Sequence, residues 1–152
     1  MIRVALDAMG SDQAPRTEVE GVGLALRELP PTFGVQLVGQ TSAIEAELKR
    51  HPDLDRGRVE VVEAPEIIGM AEKPLQAVRK KRKSSLVVGL SLQAQAKSDA
   101  FISAGNTGAI LAASTVLLGL YGGVDRATVG ALLPTVTVSL TVALVPALPS
   151  VA

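Results

Sequence analysis

The stretch Ser103-Ala104-Gly105-Asn106-Thr107-Gly108-Ala109 joins a short apolar run to a longer one and indicates the fold class. Residues 100–102, before it, are typical of a buried strand, and the Ala-rich residues 110–119, after it, are typical of a helix. A glycine-rich corner of this kind leaves backbone N–H groups without partners at the positive end of a helix dipole. The stretch therefore predicts an anion site. An ordinary capped turn that binds nothing is the alternative these residues leave open.

Short β-like runs alternate with helical runs on both sides of this corner. This order predicts a three-layer α/β/α fold with a mainly parallel, Rossmann-like sheet, in which ligands bind beyond the carboxyl ends of the strands. Pro15 is expected in the first turn of the first helix with Asp12 as its cap, and Ser42 is expected to cap the second helix. The predicted strands are residues 2–6, 35–38, 58–62, 100–102 and 128–133. The predicted helices are residues 15–29, 42–50, 74–96 with a break near Ser84-Ser85, and 107–119.

Composition excludes several classes of site. The 152 residues suggest one domain, and 47% hydrophobic but only 2% aromatic residues predict an aliphatic core of the kind that a buried parallel sheet has. The formal net charge is zero, which gives no argument for nucleic acid or membrane binding. The absence of cysteine excludes disulfides and thiolate ligands, and a single histidine, His51, excludes a His-rich zinc site. We expect no metal and no cofactor, and the absence of a GxGxxG fingerprint argues against NAD.

A second polar loop follows the first predicted strand. Asp7 ends that strand, where its carboxylate is expected to reach the crevice and orient a ligand or a catalytic group. Gly10 is expected to permit a tight turn.

The start of the chain does not have the pattern of a secretory signal peptide, because the acidic residue Asp7 comes too early.

Five consecutive basic residues occupy positions 79–83. A solvated helix end is the interpretation that the sequence alone favours, because cations also complement the helix dipole there. The alternative is a docking patch for an acidic partner or a phosphate-bearing substrate.

The end of the chain differs from the rest, because residues 127–152 contain no charged side chain. Three prolines and several threonines make this segment a poor membrane helix. We expect an edge strand followed by a disordered end. A second interpretation is that the segment is not natural coding sequence.

Four segments together resemble one family: residues 4–15, residues 73–85, residues 103–109, and residues 123–126 with 133–135. In this order and spacing they resemble the bacterial acyl-acyl-carrier-protein:phosphate acyltransferases of phospholipid synthesis, the PlsX family, over residues 1 to about 136. The resemblance implies that inorganic phosphate attacks the thioester of long-chain acyl carrier protein to give acyl phosphate. It also implies a fold like those of phosphotransacetylase and isopropylmalate dehydrogenase, a cytoplasmic homodimer with peripheral contact to the membrane, no cofactor and no nucleic acid partner.

The chemistry implied by the resemblance assigns roles to particular residues. Asn106 is expected to donate to the oxyanion, and Asp7 is expected to orient the site. The expected phosphate-binding residues are Gly10, Ser103, Gly105, Thr107 and Gly108. Because acyl carrier protein is acidic, the resemblance implies that it docks on Arg79, Lys80 and Lys81.

The chain departs from the family pattern at two places. Ser11 and Gln13 stand where the family usually has Gly and His, and glutamine does not titrate near neutral pH. After Thr135, moreover, the family continues into an Asp-x-Gly-Ala-Asn segment that this chain lacks. We therefore expect residues 1–136 to be the amino-terminal part of a phosphate acyltransferase domain and residues 137–152 to be an aberrant tail, from a frameshift or a truncation. A sheet that ends at the fifth predicted strand would expose an apolar edge.

Two other functions stay open at this point. The chain is then either a non-catalytic remnant that keeps an anion site, or a phosphotransacetylase-like enzyme that uses coenzyme A in place of the carrier protein.

Overall fold

A computed structural model of the chain describes residues 1–134 and 140–146. The chain divides into two compact units, Met1–Leu118 and Gly119–Ala152.

The first unit is built on a four-stranded parallel sheet. The strand order is β3-β2-β1-β4, so the chain starts in the middle, moves outward on one side and returns to the other side of β1 for its fourth strand. This reversal makes the crevice at the carboxyl ends of β1 and β4 a topological switch point, where open α/β sheets bind their ligands. The strands are β1 (Ile2–Asp7), β2 (Phe33–Gly39), β3 (Val59–Glu63) and β4 (Ala100–Ile102).

Helices cover both faces of this sheet, so the predicted three-layer α/β/α fold is confirmed. Leu37 and Val38 are neighbours on β2 and point to opposite faces. Leu37 packs in a core with residues of α1 and α2, and Val38 packs in a core that includes residues of α4. A third core joins α3, α4 and α5. The helices are α1 (Arg16–Glu28), α2 (Thr41–Leu48), α3 (Pro74–Lys80), α4 (Ser85–Ala94) and α5 (Thr107–Leu117).

The predicted break in the long helical segment is confirmed, but two predicted caps are wrong. Ser84 caps α4 by accepting a hydrogen bond from the Val87 amide. Asp12 makes no cap, because Pro15 occupies the cap position of α1 and backbone bonds form the turns before it. Ser42 lies inside α2, which begins one residue earlier because the Thr41 amide donates to the carboxylate of Glu63 on β3.

The second unit contains two antiparallel strands, β5 (Thr128–Pro134) and β6 (Leu140–Pro146). The expectation that residues 128–133 form a fifth strand of the parallel sheet is therefore wrong, because a nearby segment pairs with them instead. The expectation of a disordered end is wrong for residues 140–146, which form β6. Residues 135–139 and 147–152 of the predicted aberrant tail lie outside the described residues. Among the helices of the described part of the chain, none has the length and apolar character needed to cross a bilayer.

Candidate functional site

A buried carboxylate joins the loops after β1 and β4 at the switch point. Asp7 is only 2% exposed, and its Oδ2 accepts a hydrogen bond of 2.7 Å from Ser103 Oγ. Its Oδ1 accepts from the Met9 amide at 3.1 Å, and Ser103 Oγ in turn accepts from the Gly105 amide at 3.0 Å. Asp7 and Ser103, predicted separately as site residues, are thus in direct contact.

Gly10 is needed here for close approach. A Cβ atom at this position would lie 2.9 Å from the Gly105 amide nitrogen, closer than real Cβ atoms come, and 3.0 Å from Asp7 Oδ2. Gly105 has similar surroundings, since its own Cβ would lie 3.2 Å from Ser103 Oγ. The two glycine-rich loops therefore pack against each other, which explains both glycines by contact.

Asn106 caps α5 and also binds a neighbouring loop. Its Oδ1 accepts from the Ala109 amide at 3.0 Å, which satisfies one of the free donors of the helix. Its Nδ2 lies 3.1 to 3.2 Å from three backbone carbonyl oxygens, those of Gly69, Met70 and Glu72. Two N–H protons thus serve three acceptors. The role of Asn106 as an oxyanion donor stays a prediction, and in that role Nδ2 would have to release one of these carbonyls.

The first turn of α5 offers two backbone donors. Within residues 1–134 and 140–146, the N–H groups of Thr107 and Gly108 have no acceptor, and Thr107 is exposed. Gly108 packs on the first residue of α3, because a Cβ on it would lie 2.6 Å from Pro74 Cγ. These amides, with the helix dipole, have the chemistry of an anion site.

The three basic residues predicted for carrier docking differ in their surroundings. Arg79 and Lys80 are exposed and make no ion pair with any residue in the described part of the chain. Lys81 is half-buried, and its Nζ donates to Glu72 Oε1 at 2.6 Å and to the Ile67 carbonyl at 2.7 Å. Docking on all three stays a prediction.

Sequence reasoning missed two residues beside the site, Glu72 and Lys73. The Glu72 carbonyl contacts Asn106, and Pro74 contacts Gly108, so the exposed Lys73 lies between two contacts to the start of α5. The Lys73-Pro74 pair lies in a segment that resembles the acyltransferases, and this resemblance is the sequence signal that could have indicated Lys73 as a site residue.

An apolar groove of about 440 Å³ lies on the α1 side of the sheet. It begins at Leu6 and Ile102, which are paired across β1 and β4 and directly precede Asp7 and Ser103. Ile102 is 55% exposed, so the exposed apolar edge of the parallel sheet lies at the short strand β4. The sequence had predicted such an edge at the fifth strand. Glu18 is also a lining residue of the groove, and its Oε2 is buried without a hydrogen-bond partner among the described residues. Across the same residues, no cluster of three or more His, Cys, Asp or Glu side chains has the arrangement of a metal site.

Comparison with known proteins identifies the family. The sequence model of the family described as "Fatty acid synthesis protein" matches residues 2–146. The chain is 45% identical over 134 residues to the phosphate acyltransferase of Koribacter versatilis, a match that covers 88% of this chain and 37% of that protein. The phosphate acyltransferase of Desulforamulus reducens is 44% identical over 135 residues, covering 89% of this chain and 39% of its own length.

A third relative, the phosphate acyltransferase of Acidobacterium capsulatum, is 46% identical over 134 residues, which are 88% of this chain and 39% of that protein. The chain thus spans about two fifths of the length of these relatives. Because the family match extends over nearly all of its residues, the chain belongs to the fatty acid synthesis protein family.

Proposed function

We propose that this chain contributes the phosphate site of an acyltransferase that moves a long-chain acyl group from acyl carrier protein to inorganic phosphate. The acyl phosphate product would enter phospholipid synthesis. The observation that carries the proposal is the pair of Thr107 and Gly108 amides, which have no acceptor in the part of the chain that the structure describes and lie next to the buried Asp7–Ser103 pair at the switch point. The names of the relatives support the reaction class.

In the proposed reaction, a phosphate oxygen attacks the carbonyl carbon of the thioester. A C–O bond forms, negative charge develops on the carbonyl oxygen, and the C–S bond then breaks. The carrier leaves as a thiol after it takes up the proton that hydrogen phosphate releases. Such a step requires an anion site, a donor aimed at the oxyanion and an apolar surface for the acyl chain.

The residues at the switch point meet these needs in the proposal. The Thr107 and Gly108 amides bind phosphate oxygens, and the loop that contains Gly105 and Ser103 forms the wall beside them. Asn106 turns one Nδ2 proton from a loop carbonyl to the oxyanion. Asp7 orients the site in the proposal. Its carboxylate holds the Ser103 hydroxyl by a hydrogen bond, and Gly10 packs against the same carboxylate.

Lys73 supplies a positive charge to this site in the proposal, since its neighbours on both sides contact the start of α5. Replacing Lys73 with Met is expected to weaken phosphate binding about tenfold, the effect of losing one charge-assisted contact. Lys49→Met, at the end of α2, is the matched control and is expected to change nothing. NMR titration of the Thr107 and Gly108 amides with inorganic phosphate measures both.

The apolar groove is assigned to the acyl chain in this proposal. Its position one residue before Asp7 and Ser103 allows a thioester at the switch point to extend its hydrocarbon chain along β1 and α1. Ile102→Asp is therefore expected to lower turnover of long-chain donors while leaving short-chain donors nearly unaffected. Equal losses for both would remove the groove from the proposal.

Carrier docking is proposed at the exposed end of α3. Arg79 and Lys80 are exposed and make no ion pair among the described residues, so they present positive charge to an acidic carrier, and the gain is chiefly in encounter rate. Replacing both with Gln is expected to reduce the association rate at low ionic strength and to have little effect at 0.5 M salt.

We also propose a cytoplasmic homodimer with peripheral membrane contact. Light scattering tests the dimer, and vesicle sedimentation tests the membrane contact.

The deciding experiment incubates the purified chain with long-chain acyl carrier protein and inorganic phosphate and measures release of the carrier thiol. The Asn106→Ala variant is expected to lose turnover about 100-fold, as removal of one oxyanion donor does. Thr115→Ala, on the same helix away from the site, is the control.

Two outcomes would replace the proposal. Phosphate binding without turnover would favour a non-catalytic remnant. Turnover with acyl-coenzyme A but not with the carrier would favour a phosphotransacetylase-like enzyme. Full turnover by Asn106→Ala would remove its catalytic role.

A further inference from the structure

A charged pair outside the proposed reaction holds the loop over the start of α5. The loop comprises residues 67–73, and its start is fixed independently: Ile68 is buried in the core with α3, α4 and α5, and Glu66, just before the loop, bonds to the backbone of Lys83 and Ser85. The loop leads at its other end into α3, and the backbone of Gly69, Met70 and Glu72 contacts Asn106.

Lys81 and Glu72 link the loop to the end of α3. Lys81 Nζ donates to Glu72 Oε1 at 2.6 Å and to the Ile67 carbonyl at 2.7 Å. The same Glu72 oxygen accepts from the Gly69 amide at 2.7 Å. One ammonium group therefore binds both sides of the loop, and one carboxylate oxygen closes its turn. The hydrogen bond from Lys81 lowers the pKa of Glu72, as a bond to the charged form does.

The loop in turn fixes the side chain of Asn106. A carboxamide that donates to three carbonyls on one side presents its Oδ1 to the Ala109 amide on the other. If the loop moves, this orientation is lost, and the first turn of α5 loses its cap. The Thr107 and Gly108 amides belong to that turn, so their preorganisation depends on the loop.

We propose that Lys81 and Glu72 are positioning residues, which hold the 67–73 loop against Asn106 and so set the geometry of the α5 N-terminus. Lys81 then acts inside the protein, and Arg79 and Lys80 are the basic residues of α3 left for a partner. The consequence for phosphate rests on the proposed function, whereas the positioning itself rests on the contacts.

NMR of the full 152-residue chain tests this with matched variants. Lys81→Met removes the ammonium and keeps an unbranched side chain; Lys83→Met removes an exposed charge from the same basic run; Lys81→Arg restores a donor. We expect Lys81→Met to speed exchange of the Gly69 amide about tenfold, as loss of one charge-assisted bond does, and to shift the two Asn106 carboxamide proton resonances toward those of a solvent-exposed asparagine. Lys83→Met is expected to change neither, and Lys81→Arg is expected to restore most of both.

Each outcome bears on one claim. If Lys81→Met matches Lys83→Met in Gly69 exchange and in the Asn106 resonances, the positioning role is overturned. If Gly69 exchange rises but the Asn106 resonances stay unchanged, the pair stabilises the loop only, and the proposal is again overturned. If the Thr107 and Gly108 amide resonances of the wild-type chain do not shift with inorganic phosphate, the proposed function is contradicted. Gly69 exchange and the Asn106 resonances of Lys81→Met still test the positioning role in that case.

Discussion

The loops after β1 and β4 are both rich in small and polar residues, yet they lead into their helices differently. After β4, α5 begins at Thr107 with Asn106 as its cap, so the helix N-terminus lies close to the strand end. After β1, α1 begins only at Arg16, behind Pro15 and without a side-chain cap. The loop after β1 instead packs against the loop after β4, through Asp7 and Gly10. Similar composition therefore does not imply a similar role, because the length of the connection decides where the helix donors lie.

The largest expected effect comes from forcing the two loops apart. Gly10→Ala would place a Cβ 2.9 Å from the backbone nitrogen of Gly105, and overpacking of this kind should lower the free energy of unfolding by about 2–3 kcal/mol. Gly21→Ala, inside α1 with no atom within 4 Å of its Cβ, is expected to raise that free energy by about 0.5–1 kcal/mol. Urea denaturation measures both. Equal stability of Gly10→Ala and wild type would show that the loops are not in close contact.

The difference in capping predicts the second effect. Asn106→Ala removes a cap and the contacts to three carbonyls, so it should lower the free energy of unfolding by about 2 kcal/mol. Asp12→Ala, at an exposed position of the other loop, should change it by less than about 0.5 kcal/mol. The comparison between the loops fails if denaturation midpoints of the two variants coincide.

Two serines, one in each loop, sharpen the contrast further. Ser103→Ala removes the hydrogen bond to Asp7 and should lower the free energy of unfolding by about 1 kcal/mol. Ser11→Ala should be neutral or slightly stabilising, because Ser11 Oγ is buried without a partner among the described residues. Thermal unfolding of both variants at one pH distinguishes them, and a larger loss at Ser11 would contradict the assignment.

The smallest effect is a change in a titration. The hydrogen bond from Lys81, and after it the Gly69 amide, holds the pKa of Glu72 below its usual 4.5. Because the folded-state pKa is depressed, the stabilisation by Glu72 is fully present above pH 4.5 and is lost as the pH falls through the lowered pKa. Lys81→Met should move the carboxyl midpoint upward toward 4.5, as followed by carbon-13 NMR, while Lys83→Met should not. An unchanged midpoint in Lys81→Met would mean that Lys81 does not set it.

Much of the first unit could be predicted from local patterns. Apolar runs bounded by polar residues fixed the four parallel strands within a few residues, and Ser84-Ser85 marked a helix break that the structure confirms. The fifth strand forms as predicted, but its expected place in the parallel sheet is wrong, because pairing depends on which segment lies nearby and β6 lies closer in sequence than any strand of that sheet. The caps at Asp12 and Ser42 failed because distant or backbone partners already satisfy those helix starts.

The residue types of the site were visible in the sequence, but their partners were not. Asp7 and Ser103 were both predicted, but they are 96 positions apart in the chain, and the sequence does not show the hydrogen bond that joins them. Lys81 was predicted to face a partner together with Arg79 and Lys80, but its hydrogen bond to Glu72 was not predicted, since a run of like charges gives no sign of which member binds within the chain. Glu72 was missed because its role depends wholly on Lys81 and Gly69.

The sequence by itself determined the α/β class, the switch-point residues and, through four spaced segments, the family. These properties follow from the periodicity of apolar residues and from short motifs, each of which lies within a single stretch of the chain. Only the tertiary structure decided that Gly10 packs on Gly105, that Asn106 faces the 67–73 loop, and that Lys81 binds the Ile67 carbonyl and Glu72. The reason is that hydrogen bonds and close contacts between distant segments depend on strand order, which places β4 beside β1, and local sequence does not contain that order.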